Sequence, residues 1–345
     1  MAATTDWVTL LATNDRRGGT AATRRTAPTE LLWKAALPDG IRSSPVLFDG
    51  VVYVTCRDGR LYAFDSKTGK QRWDFQAAAS IDSTPAISGA FVLFGCDDGA
   101  LYAVDRTAGR LVWKADGGGS VWTSPVVLDD MVFVGSTDGV FRAVDRDTGR
   151  MRWRRQMAGR MCSTPYAAGR LIYAGSSDGR LYALESASGN DAWTFQAADS
   201  IVASPAVASD LVLVGSEDQA FYALDAASGK VRWKFETALG IYSSAAVAAG
   251  KVFFGGKDGY VYALNVTDGR QLWRSESMRT LTASPVAGEA TVCIQTFYGS
   301  TQALDANSGA PLWRSSLGGS LQSTPILTDE AVYLATYPGV VYALK

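Results

Sequence analysis

From residue 41 to the C-terminus, apolar residues come in runs of four to six, separated by short polar turns. The stretch 41–76, IRSSPVLFDGVVYVTCRDGRLYAFDSKTGKQRWDFQ, shows the pattern most plainly. SSPVLF reads as a strand A, and a turn at Asp49-Gly50 leads into VVYVT, strand B. Asp58-Gly59 is a two-residue hairpin signal of the kind that favours positive φ. RLYAF follows as strand C, and after Ser66-Lys-Thr-Gly69 comes KQRWDF, strand D. Sheets of four such short strands cannot bury both faces alone. Stacked radially, each covers its neighbours, which is the propeller solution to exposed edges and faces.

The unit repeats without a slip. Trp33, Trp73, Trp113, Trp153, Trp193, Trp233, Trp273 and Trp313 are equally spaced, and only Trp7 and Trp122 fall outside this register. A fixed period in the range of roughly 20–50 residues marks a solenoid, a propeller or an array. The turn glycine holds at Gly69, Gly109, Gly149, Gly189, Gly229, Gly269 and Gly309, as a left-handed backbone position requires. Ala63 and its equivalents through Ala343 never change, so a small side chain there is expected to let the next blade's tryptophan approach closely. The chain ends after strands A, B and C of an eighth unit, while TELLWKAAL near the start has the strand-D pattern. The predicted fold is all-β: an eight-bladed propeller over 29–345, its last blade built from 321–345 plus 29–37. Residues 1–28, rich in Thr, Ala and Arg, form a partly ordered tail that Trp7 could dock.

Composition narrows the function classes. The 345 residues suit one large all-β domain, and 47% hydrophobic content supports a packed core. With 33 basic and 34 acidic residues the chain lacks the footprint of a nucleic-acid binder. No apolar run approaches the length of a spanning helix, so no membrane span is expected. The start, MAATTDWVTLLATNDRR, has no signal-peptide pattern, which points to the cytoplasm; a secreted chain trimmed of its leader would read the same. Cys56, Cys96, Cys162 and Cys293 read as free thiols, the first two as small buried side chains rather than a redox pair. Histidine is absent, which removes His triads, His proton shuttles and His metal ligands. The expectation is a monomer with no cofactor and no bound metal.

The segment Ala63-Phe-Asp65-Ser-Lys-Thr-Gly69-Lys-Gln-Arg-Trp73 has the form A-x-D-x-x-x-G-[KR]-x-x-W and recurs as AVDRTAGRLVW, AVDRDTGRMRW and ALDAASGKVRW. It resembles the tryptophan-docking motif of the quinoprotein (PQQ-like) eight-bladed propellers, and the resemblance extends over residues 30–345. That family includes quinone-dependent dehydrogenases and the assembly lipoprotein of the outer-membrane β-barrel machinery. The dehydrogenases carry long insertions around a PQQ and calcium site, and often an adjacent Cys-Cys pair. Here every repeat has the minimal length and no two cysteines adjoin. The resemblance therefore implies the fold without the quinone site, and not a PQQ-dependent dehydrogenase.

Positions that vary in chemistry between repeats are free of duty to the blade. One such column opens strand A: Arg42, Asp82, Trp122, Cys162, Val202, Tyr242, Thr282 and Gln322. It precedes hydroxyl-rich positions, Ser43-Ser44 to Ser323-Thr324, expected to satisfy inter-blade backbone groups. A second column ends strand B: Arg57, Asp97, Thr137, Ser177, Glu217, Lys257, Phe297 and Tyr337. In a four-stranded meander both columns meet on one face, at the mouth of the central channel, with Arg160 and Arg279 on its rim. The bland reading pairs Arg42 with Asp82 and Arg57 with Asp97 as surface ion pairs. The aromatic residues Trp122, Tyr242, Phe297, Tyr298 and Tyr337 favour instead a recognition surface for a protein, peptide or small ligand. Blade 7, with Gln295-Thr-Phe-Tyr-Gly-Ser and Gln302, departs furthest from the repeat. The alternative is an enzyme with Asp82 or Glu217 as acid or base, Tyr242 as proton donor, and Arg42 and Lys257 as electrostatic stabilisers.

Overall fold

A computed structural model describes residues 26–28, 30–277, 281, 283–296, 299–316, 323–328 and 330–345. Among these, every regular element is a strand, and the strands form eight antiparallel sheets of four. Blade 1 comprises A (Val46–Phe48), B (Val51–Thr55), C (Arg60–Asp65) and D (Gln71–Gln76). Blades 2 to 7 follow in chain order, each built from the next repeat. All five side chains of strand B are buried, because neighbouring blades cover both faces. That explains an unbroken apolar run where a one-sided sheet would alternate.

Strand A is shorter than its apolar run. Pro45 has no amide to give a ladder, and the residues before it bond sideways between blades. The Ser44 amide donates to Thr84 Oγ1 at 2.9 Å, and Thr84 in turn to Ser124 Oγ at 3.1 Å. The relay continues through Thr164, Ser204, Ser244 and Ser284, and the Thr324 amide returns to Ser44 Oγ at 2.8 Å. Seven hydroxyls thus take seven inter-blade amides around the channel, the role expected of the hydroxyl-rich column.

The turns divide their work differently from the sequence expectation. The two-residue turn with both φ positive is Asp49-Gly50, at 50° and 69°. At Asp58-Gly59 only the glycine has positive φ, 82°, and the loop is longer, closed by the Cys56 amide on the Arg60 carbonyl. Asp58 is there as a cap: its carboxylate accepts the Arg60 amide at 2.9 Å and the Tyr62 hydroxyl at 2.6 Å.

The register tryptophans from Trp33 to Trp273 each dock on the following blade. Trp33 Nε1 donates to the Ser66 carbonyl at 2.8 Å, and a Cβ on Gly69 would lie 2.6 Å from the Trp33 ring. The glycine is thus required twice, by φ and by the ring. Ala63 has a different role from the one expected of it: it stands opposite Trp73 of its own sheet, and the approaching indole covers the glycine instead.

Blade 8 is closed from both ends of the chain. Its A (Ile326–Leu327), B (Val332–Ala335) and C (Val340–Leu344) strands are joined by D (Leu31–Ala36), paired from Leu31↔Leu344 to Ala36↔Val340. Reciprocal amide-to-carbonyl bonds between Glu30 and Lys345 extend the clasp. Cys56, Cys96 and Cys293 are buried, Cys162 half-buried, and none is bonded to another. Burial pushes the Cys56 thiol up to about 12 and the Cys96 thiol to about 11, so both behave as small apolar groups.

The C–D turns carry an acid sensitivity. The Asp65 carboxylate is held near 2 by Arg72 Nη2 at 2.7 Å and by Thr68. Asp145 is held near 2 by Thr148 and by Arg152 Nη2 at 2.6 Å. Depressed carboxyls stabilise the fold above their unfolded value and lose that contribution as pH falls through the folded one. Stability should therefore fall between about pH 4 and pH 2, and an Asp65→Asn/Asp145→Asn variant should lose less over that window in acid-titrated thermal melts.

Candidate functional site

The D–A and B–C connections lie at one end of every sheet, and they bring the two variable columns together in two groups around the channel mouth. The larger group crosses blades 8, 1, 2 and 3. Asp82 receives Arg42 Nη1 at 3.1 Å on one oxygen and faces Arg57 Nε at 3.4 Å on the other, an ion pair without a hydrogen bond. Arg57 Nη1 also donates to the Tyr337 hydroxyl at 3.3 Å, and the Arg42 guanidinium lies 5.6 Å from the centre of that ring. Beside them Trp122 Nε1 donates to Asp97 Oδ1 at 2.8 Å. The smaller group joins blades 5 and 6: Lys257 Nζ donates to Glu217 Oε2 at 2.7 Å and lies 3.5 Å from the Tyr242 ring centre.

Arg42–Asp82 is thus the expected ion pair. Arg57–Asp97 is not formed: Arg57 turns to Asp82 and Tyr337, while Asp97 takes the Trp122 indole. Burial, reinforced by Asp82, raises the Asp97 carboxyl above its ordinary range against the opposing pull of that indole bond. The nearby Asp82 carboxylate holds the Arg57 guanidinium charged. Burial works against the Lys257 ammonium, but Glu217 and Tyr242 outweigh it and keep the group charged. Cys162 joins neither group; burial raises its thiol, with Arg160 opposing. Gln322, Phe297 and Tyr298, with Thr282 and Arg279, lie outside the described residues.

Three of the mouth aromatics are well exposed: Trp122 at 44%, Tyr242 at 39% and Tyr337 at 37%. Each is fixed from below by a charged group, leaving ring surface free. Such exposure of aromatics already ordered suits a binding surface, since little rotamer freedom remains to be lost.

Sequence reasoning missed Arg142, which is buried in strand C of blade 3 (Val140–Asp145) under the loop Gly117-Gly118-Gly119. Two signals pointed to it: an arginine in a column of tyrosines, and a triple glycine in one connection. A cavity of about 570 Å³ opens between blades 3 and 4, lined by Arg155, Tyr182, Asp191 and Gln196 among others. Arg155 takes the place of Phe75, Phe195 and Phe235 in its column and is clamped to Asp191 at 2.6 Å and the Gly189 carbonyl at 3.0 Å.

Among the described residues no three Asp, Glu, Cys or His side chains gather as metal ligands. Asp82 and Glu217 are already engaged by cations.

Fold and mouth together define a minimal eight-bladed propeller of PQQ-type repeats. The family described as outer membrane protein assembly factor BamB matches residues 6–115, 76–164, 97–237 and 159–345, and the chain belongs to that family. Comparison with curated proteins finds no match. Among solved structures, BamB from Moraxella catarrhalis is 20% identical, covering 92% of this chain and 100% of its own, with a TM-score of 0.82. The quinohemoprotein alcohol dehydrogenase from Comamonas testosteroni is 16% identical over 99% of this chain and 81% of its own, at 0.84. The computationally designed Ika8 protein is 17% identical over 92% and 99%, at 0.83. At these identities the likenesses concern the fold alone. No helix among the described residues is long and apolar enough to cross a membrane.

Proposed function

We propose that the chain is a monomeric binding scaffold that recognises a partner protein at the channel-mouth face. The observation that carries this reading is the set of exposed aromatics held in place by charged neighbours: Trp122 on Asp97, Tyr242 on Lys257–Glu217, and Tyr337 on Arg42 and Arg57. Aromatic residues and arginine dominate interface hot spots. Membership of a family described as an assembly factor agrees with a binding role. The enzymatic alternative needs a free acid or base, whereas Asp82 and Glu217 are both neutralised by cations.

Capture of interacting proteins by immobilised wild type, followed by titration of the captured partner, tests the reading. Trp122→Ala should weaken binding by about 2 kcal/mol, roughly thirty-fold. Leu111→Ala, on the outer rim, should leave it unchanged. Equal affinity of wild type, Trp122→Ala and Tyr242→Ala for every captured protein would overturn the proposal.

A further inference from the structure

Among the described residues, connections from strand D into the next blade follow one rule with a single exception. In six seams the first residue after strand D donates its amide to the adjacent B–C turn carbonyl. Ala77 bonds Gly59, Met157 bonds Gly139, Ala197 bonds Gly179, Thr237 bonds Gln219 and Ser277 bonds Gly259, all at 2.8 Å; Leu37 bonds Gly339 at 2.7 Å. Gln76, Gln156 and Gln196 add a side-chain clamp on the same carbonyls or their neighbours. Between blades 2 and 3 the tether is missing. The Gly99 carbonyl is taken by Arg142 Nη2 at 2.9 Å, and the clamp position is Asp116, on the surface beside Lys114. Strand D of blade 2 stops at Ala115, one residue short of its equivalents, and the loop runs Gly117-Gly118-Gly119 with φ +134° at Gly118.

Beneath this loop Arg142 replaces the tyrosine whose hydroxyl caps the turn aspartate in five blades. It is 1% exposed, and its Nε and Nη1 have no acceptor. A Cβ on Gly117 would overlap Nη1, so the glycine is what lets the loop close over the guanidinium. Arg154 stands directly opposite it on strand D, a like-charge pairing that is unfavourable in a sheet. Asp98, Asp116 and Asp138 balance the charge from around it. Asp98 and Asp116 share Lys114, and Asp138 accepts the Gly119 amide at 2.9 Å.

We propose that Arg142 is a concealed anchor for a carboxylate of the partner protein, and that the triglycine loop is the lid over it. Opening the lid carries Asp116 away, leaving Lys114, Arg142 and Arg154 against Asp98 and Asp138. The freed guanidinium donors then face an incoming carboxylate with one positive charge in excess. Only Ser120 and Val121 separate Trp122 from the loop, so a partner seated on that ring arrives beside the lid. The inference rests on the recognition face proposed above.

Hydrogen exchange and amide NMR with N-acetylglutamate as probe, and N-acetylglutamine as its neutral control, test the anchor. In wild type the amides of 117–120 should exchange about tenfold faster than those of 157–160 and 197–200. Glutamate but not glutamine should shift the Gly117–Gly119 amides saturably. Arg142→Tyr restores the residue of the other blades opposite Asp138, so it should fold as well as wild type, slow the loop and abolish the shifts. Slow exchange of 117–120 in wild type, or the same shifts in Arg142→Tyr, would overturn the proposal. If partner capture is lost in Trp122→Ala but intact in Arg142→Tyr, the anchor falls and the recognition face stands.

Discussion

Deleting residues 29–37 should abolish the cooperative thermal transition of the whole protein rather than trim a dispensable leader. These residues supply the fourth strand of blade 8, with Trp33 inserted between Phe64 of blade 1 and Tyr333 of blade 8. Without the strand, Val340–Leu344 becomes an unpaired edge and the Gly69 turn loses the indole that covers it. Burial of one such tryptophan is worth about 3–5 kcal/mol, against about 5–15 kcal/mol for a typical domain. Loss of the strand adds its ladder bonds and opens the seam between blades 8 and 1. Differential scanning calorimetry decides the matter: a single transition at the parental temperature in the truncated chain would mean that the ring does not depend on this clasp.

Trp193→Ala should cost about 3–5 kcal/mol of unfolding free energy. The indole is 8% exposed, donates Nε1 to the Ala226 carbonyl at 2.9 Å, packs tilted against Tyr173 and covers Gly229 of the next blade. Its loss leaves a cavity across the seam between blades 4 and 5. Trp193→Phe keeps most of the packing but not the donor, and should cost clearly less. Urea unfolding of the three proteins ranks them; a cost under about 1 kcal/mol for the alanine would show that neighbouring blades collapse onto the gap.

Much of this is legible in the sequence. A side chain that must fill the same inter-blade space eight times recurs at a constant spacing, so the period counts the blades directly. The clasp followed from strand arithmetic, since three terminal strands and one orphan strand make a whole sheet. The shared face of the two variable columns followed from the direction of a meander. The chemistry of the B–C turn is not legible there. Asp58-Gly59 has the dipeptide of a two-residue hairpin, but its aspartate serves the Tyr62 hydroxyl, a partner that only the adjacent strand supplies.

What the sequence determined by itself is the backbone: eight four-stranded sheets, their order, the closing strand, and which positions face the channel mouth. These depend on periodicity and on short-range turn rules, both of which are local. Only the tertiary structure decided which side chains meet. Arg57 lies 280 residues from Tyr337 along the chain and chooses it, with Asp82, over the Asp97 that the repeat register suggested. The tryptophans from Trp33 to Trp273 meet a glycine of the following blade, not the repeated alanine, and Arg142 vanishes beneath a loop of another repeat. Such choices turn on ångström differences in how neighbouring sheets are offset, and a repeat pattern, identical for every blade, carries no record of them.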